Sequence, residues 1–300
     1  MDTPDLDPAM RSRPGREGDG VNPSPAGPLD VTATLRSERS SFLELLRSLD
    51  DDDWTKATEC PAYNVQGVAT HILGDDLSLL SRQRDDAPQG LLAMLRPGDD
   101  FRMVLDRFND RWVEAAQFFS APVLIDLLEL AGRWTADWYD TVDPESLGEP
   151  VGFFGASGPS PYWQIASREY VERWVHHHQI RRALGAPDLD DDSILRPAVA
   201  VVVRSFAAHL RDLEVAPGES IVLTVNGLAS WSLEREDDRW EPLDGAIAEA
   251  RATVRLDRVL ATPVLSRGLR LVEVEAAFQC IGDVPLARRV AKGIAALAGR

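Results

Sequence analysis

The stretch FRMVLDRFNDRWVEAAQFF, residues 101–119, decides what kind of chain this is. Phe101, Val104, Leu105, Phe108, Trp112, Ala115 and Phe119 recur at i, i+3, i+4 and i+7 for about five turns, so the spacing predicts an amphipathic helix that packs along most of its length. Its flanks repeat the pattern. In CPAYNVQGVATHILGDDLSLLSRQ, residues 60–83, Asn64 stands as an N-cap before the apolar stripe Val65, Val68, Ile72 and Leu80, with His71 inside the helix. Earlier, Val31, Leu35, Phe42, Leu45, Leu46 and Leu49 mark a first helix that ends in the acidic turn LDDDDW. Downstream, Ser120 is placed to cap a fourth helix with Pro122 in its first turn and Leu124, Leu127, Leu128, Ala131 and Trp138 facing inward. A loop with four glycines and three prolines, residues 147–161, precedes a fifth helix from about Tyr162 to the C′ glycine Gly185.

Beyond residues 185–197, read as a linker, and a helix over 198–213, the period falls towards two. SIVLTVNG, ASWSLERED, ATVRLDR and VEVEAAFQCIGD are strand candidates, with short helical patterns over 259–269 and 285–299. Residues 1–28 hold six prolines and four glycines among charges and cannot bury enough apolar surface to offset chain entropy. The expected fold class is therefore α+β: a disordered tail over 1–28, an up-and-down helical bundle over 29–186 and a smaller α+β domain over 195–300.

A formal charge of −17 opposes phosphate backbones and anionic membranes, which argues against nucleic acid as the natural partner and favours small molecules. No apolar run reaches the roughly 20 residues of a membrane span, and the polar start lacks a secretory core, so a cytoplasmic protein is expected. Cys60 and Cys280, far apart, imply neither a disulfide framework nor a cysteine-built zinc site. Cys280 lies in an alternating pattern and is expected to be buried. Phosphate-loop, dinucleotide and serine-hydrolase motifs are absent.

Three of the five histidines adjoin in VERWVHHHQIRRALG, residues 171–185. On a helix Glu172 and His176, one turn apart, share a face, whereas His177 and His178 are rotated away by roughly 100° and 200° and are expected to cover the surface. A catalytic zinc takes about three His or carboxylate ligands and keeps one position open. His71 is the natural third ligand, since the remaining histidine, His209, falls near the domain boundary. Against this stand plainer readings, with Glu172 and His176 as a helix-stabilising pair and His71 as a core histidine. Trp112, Trp134, Trp138, Trp163 and Trp174 fall at helical spacings as core or pocket wall.

Three segments together resemble the mycothiol-dependent maleylpyruvate isomerase family. LDDDDWTKATECPAYNVQGVATHILGDD is similar to its first signature and ASREYVERWVHHHQIRRALG to its second. VRLDRVLATPVLSRG with AFQCIGDVPLARRV resembles its C-terminal domain, related to sterol carrier proteins. The resemblance implies a DinB-like bundle with a divalent metal, zinc, on His71, Glu172 and His176. It also implies mycothiol as the thiol cosubstrate, with Arg168 and an arginine of the C-terminal domain as catalytic residues that pair with carboxylates of the thiol or substrate. Arg267 is chosen for that part over Arg251, Arg258 and Arg270. The family commonly has Trp at the position of Tyr63 and Asp at the position of Gln179, so both are departures. In the family reaction the thiol adds to the cis double bond of maleylpyruvate, the new single bond rotates and elimination returns the thiol and the trans isomer. The alternatives are a mycothiol S-transferase on another electrophile and a non-catalytic small-molecule-binding protein, as monomer or homodimer.

Overall fold

The computed structural model describes residues 23–87 and 90–298. Five long helices come first. α1 (Thr32–Arg47) buries Leu35, Phe42 and Leu46 together with two charged residues, Glu38 and Arg39. α2 (Val65–Leu79) begins where the Asn64 side chain accepts from the Gly67 N–H at 2.9 Å, and it runs into a π-helical turn over Leu80–Arg84. α3 (Phe101–Ala116), α4 (Ala121–Tyr139) and α5 (Tyr162–Ala183) follow, and Gly185 closes α5 at φ +68° as a left-handed C′ residue. Ser120 stands at the N-cap of α4 as expected, but its hydroxyl makes no capping bond.

α3 departs from its expected role. It ends at Ala116, Phe118 is 83% exposed, and the helix packs on α2 through a small cluster of its own around Val104, Phe108 and Trp112. Gly74 permits that approach, because a Cβ there would lie 2.6 Å from the Trp112 ring. The other helices share two larger cores. One joins α1, α2 and α4 around Phe42, Leu73 and Leu128 and takes Ile180 from α5. The second starts from Tyr170 and Trp174 on α5 and runs without a break across the segment between residues 186 and 195 into the C-terminal half. α5 therefore has little polar surface to spare, since it is sandwiched between both cores.

The chain after α5 forms one sheet with helices on it. α6 (Asp192–Ala207) starts inside the segment read as a linker, because the Asp191 carboxylate accepts from Ser193 N at 2.8 Å and Ile194 and Leu195 are already buried. The strands are β1 (Ser24–Pro25), β2 (Ser220–Asn226), β3 (Ala229–Arg235), β4 (Trp240–Asp244), β5 (Ala252–Asp257) and β6 (Phe278–Gly282), in the order β1-β4-β3-β2-β5-β6. Only the β2–β5 pair is parallel. Between β5 and β6 the chain makes α7 (Arg258–Leu265) and α8 (Leu271–Ala277), and α9 (Val284–Ala298) packs back on β5 and β6. The protein is thus α+β, a helical N-terminal half followed by a smaller α+β unit.

Three local readings are corrected. VEVEAAFQCIGD divides into helix and strand: at the start of α8 the Glu273 carboxylate reaches back to accept from Arg270 N at 2.9 Å and from Arg270 Nη2 at 2.6 Å. Cys280 on the edge strand β6 is half-buried, not buried. The tail expectation meets the described residues only from residue 23, and there Ser24 and Pro25 pair with Asp244 and Leu243 while Arg204 donates to Gly27 O; residues 1–22 lie outside the described part. Among the described residues no helix is long and apolar enough to cross a membrane.

Candidate functional site

Three adjacent imidazoles on α5 serve three different neighbours, as a rotation of about 100° per residue requires. His177 faces α1, where its Nδ1 lies 2.9 Å from Glu38 Oε1, and both side chains are fully enclosed. His178 faces the chain leading to α6: Nδ1 donates to Trp174 O at 2.8 Å and Nε2 accepts from Leu189 N at 3.1 Å. These partners hold His178 neutral, and burial depresses its pKa to about 3. The expectation that His177 and His178 cover the surface is therefore wrong. They anchor α5 to its neighbours, and surface exposure was ruled out by two cores meeting at one helix.

His176 is the member that turns towards α2. Its ring meets that of His71 edge to face with centroids 4.8 Å apart, although 105 positions separate them in the chain. Gln179 Oε1 accepts from His176 Nδ1 at 2.9 Å, which leaves Nε2 with its lone pair, 3.7 Å from Glu172 Oε2. Burial lowers the pKa of both imidazoles, so both are neutral, the form that binds a metal. His71 also has a buried Nδ1 with no hydrogen-bond partner, and its ring stacks on Tyr63 at 6.2 Å. Among the described residues no group of three or more His, Cys, Asp or Glu side chains stands ready-made to hold a metal ion. The donors there are nevertheless of the chemical kind that a divalent ion takes. A buried unpartnered imidazole nitrogen, a second imidazole oriented through its far nitrogen and a half-exposed carboxylate are brought together by α2 and α5.

Around this cluster lies a dense layer of charge. Arg168 donates to Glu169 at 2.7 Å and lies 3.4 Å from Glu172 and 3.9 Å from Asp75. Burial works against its charge, but these carboxylates overcome that and hold the guanidinium protonated. Burial also works against ionised Glu169, yet Arg168 and Arg173 keep its pKa low. Asp75, one turn after His71, is pushed up by burial and by the Glu169 carboxylate. Beneath the site Asp76 accepts from Arg39 at 2.8 Å and from Arg173 at 3.0 Å, so one carboxylate ties α1, α2 and α5.

The C-terminal half contributes Arg267, which follows α7 in a turn with φ +63°. Burial lowers its pKa, Glu172 is the first charge that offsets this, and its own charge reaches His176. Its three competitors are engaged elsewhere. Arg251 pairs with Glu219 and Asp283, Arg258 with Asp192, and Arg270 with Glu273.

Residues 35–181 match the family described as the Mycothiol maleylpyruvate isomerase N-terminal domain. The helical half of the chain belongs to that family. The match spans His71, Arg168, Glu172, His176 and Gln179, and it stops short of Arg267. Two solved structures are similar to the chain over more of its length. One is the mycothiol-dependent maleylpyruvate isomerase, at 13% identity and TM-score 0.46, covering 78% of this chain and 86% of that one. The other is a histidine-to-alanine mutant of it, at 12% identity with the same TM-score and coverage. No curated protein matches.

Within the family's helical half, the residues that set the geometry include several that spacing alone did not single out. Asp76, Arg39, Arg173 and Glu38 are charged residues on amphipathic helices, and a charge on such a helix ordinarily faces water. The signal that was available is their position: Glu38 and Arg39 sit between Leu35 and Phe42, inside the apolar stripe of α1.

Proposed function

We propose that the chain is a metal-dependent, mycothiol-dependent enzyme of the maleylpyruvate isomerase type, acting on an electrophilic small molecule. The observation that carries this reading is the pairing of His71, whose buried Nδ1 lacks a partner, with His176 and Glu172 across α2 and α5. These three residues would hold a divalent ion, zinc by its donor set, and such an ion supplies a bound thiol with a lowered pKa. Gln179 keeps His176 in the tautomer whose Nε2 is free to bind. Arg168 is tied to the carboxylates of the site, so its part is to hold Glu172 and to keep the pocket's negative charge balanced. Arg267 is the group that meets a carboxylate of substrate or thiol, a task suited to a planar guanidinium fork. The reading takes residues 29–186 as a DinB-like metal-binding bundle and 195–300 as a sterol-carrier-like domain, in a cytoplasmic monomer or homodimer.

Gln179 favours a second reading. The neutral amide binds His176 without the negative charge a carboxylate would add, so the imidazole is a weaker base than it would be beside Asp, and a metal-bound thiol would be tuned differently. Under that reading the enzyme is a mycothiol S-transferase on another electrophile. The test incubates the zinc-loaded protein with mycothiol and either maleylpyruvate or a panel of activated alkenes and epoxides, with products separated by chromatography and followed by absorbance and mass. Thiol-dependent formation of fumarylpyruvate without mass change supports the isomerase. Stable adducts support the transferase, and no turnover with any member refutes both.

A further inference from the structure

One guanidinium outside the metal cluster links every segment that surrounds it. Arg182, on the last turn of α5, donates through Nη1 to Ser266 Oγ and through Nη2 to Ser266 O, both at 2.7 Å, and through Nε to the Glu59 carboxylate at 2.8 Å. It thus joins the helix of Glu172 and His176, the segment leading into the helix of His71, and the turn that carries Arg267. Gly268 closes the contact, since a Cβ there would lie 2.9 Å from Arg182 Cζ and 3.0 Å from Nε. Ser266 is buried, its N–H and hydroxyl both donating to Thr262 O, and Gly268 N donates to Pro263 O at 2.8 Å.

Between those two pinned residues Arg267 is held at φ +63°, a left-handed conformation that an arginine leaves unless its surroundings fix it. Arg182 helps to fix it, through its two hydrogen bonds to Ser266 and its packing on Gly268. Its own charge is taken up by Glu59, so Arg182 is not available to a substrate. We propose that Arg182 is a positioning residue, which by clamping Ser266 and Gly268 presents the Arg267 guanidinium to the anionic group of the substrate. The inference deepens the reading of Arg267 given above and rests on it for the anion.

The test uses the full chain with Arg182→Met, Arg267→Met and the double variant. Hydrogen–deuterium exchange of the amides from Thr262 to Arg270 is followed first. Arg182→Met is expected to speed exchange at Ser266 and Gly268 at least tenfold while the central amides of α2 and α5 keep their native rates. Calorimetric titration with maleate, a small dicarboxylate, then reads the anion. Each single variant is expected to weaken binding tenfold or more, with the double no weaker than Arg267→Met alone. Unchanged exchange in the turn, losses of maleate affinity that simply add, or a fall in melting temperature with both readouts unmoved would each overturn the proposal. Failure of the native chain to bind maleate would overturn the reading of Arg267, and the exchange measurement would still decide whether Arg182 holds the turn.

Discussion

Asp76→Asn removes one negative charge from the point where three helices meet. The carboxylate accepts from Arg173 Nε at 3.0 Å and Arg173 Nη2 through Oδ1, and from Arg39 Nη2 at 2.8 Å through Oδ2. An asparagine keeps one acceptor oxygen and turns an NH2 towards a guanidinium that can only donate. The nearest remaining carboxylate is Glu169, which Arg168 already shares at 2.7 Å, and among the described residues Arg39 retains Leu128 O as an acceptor. Breaking a buried pair by removing one partner costs about 3–5 kcal/mol. Against a total stability of about 5–15 kcal/mol this is about a fifth or more of the whole. Urea unfolding followed by tryptophan fluorescence measures it, with Trp174 buried beside the network's α5 segment as the reporter. A loss below about 1 kcal/mol, the range of exposed pairs, would refute the claim that this network holds α1, α2 and α5 together.

Other outcomes follow from the same contacts. Gly74→Ala gains helix propensity of about 1 kcal/mol but sets a Cβ 2.6 Å from the Trp112 ring, an overlap worth about 1–3 kcal/mol, so a net loss of stability with a shifted Trp112 environment is expected in thermal unfolding. His178 is neutral when folded, with a pKa of about 3 against about 6.5 unfolded, so its contribution is present above pH 6.5 and is lost as the pH falls towards 3, at up to about 1.4 kcal/mol per unit. Unfolding titrations between pH 7.5 and 5 should therefore show a shallower decline in His178→Gln than in the native protein, and equal slopes would contradict the assignment. Gln179→Ala removes the partner of His176 Nδ1 and is expected to lower zinc affinity about 10–100-fold in competition with a chelator, with little change in melting temperature of the metal-free protein.

The helical half was legible because its elements announce themselves locally. Asn64 and Gly185 sit where cap chemistry puts them, and the i, i+4 spacing of Glu172 and His176 survives in any α-helix. What brings His71 to His176 is the packing of α2 on α5, a tertiary fact that no spacing encodes; the histidine's placement at the edge of an apolar stripe was only a hint. The fate of His177 and His178 shows the opposite error. Polar residues on a helix are assigned to water by default, and here α5 has a core on each side, so they take buried partners instead. In the sheet, the pattern did not reveal β4 because Pro242 breaks its alternation, nor β1, near the start of the chain, because two residues carry no period. The split of 271–282 into helix and strand turned on Glu273 reaching back to the Arg270 N–H, at a helix start whose N-cap residue is an arginine, outside the usual set.

The central claim is that α2 and α5 together hold one metal ion through His71, Glu172 and His176. Isothermal titration of the metal-free full chain with zinc, repeated on His71→Ala and His176→Ala, tests it most directly. The account predicts one tight site per chain that is lost in both variants while each remains folded by circular dichroism. Stoichiometric zinc binding that persists undiminished in His71→Ala, or no binding by the native chain, would contradict it.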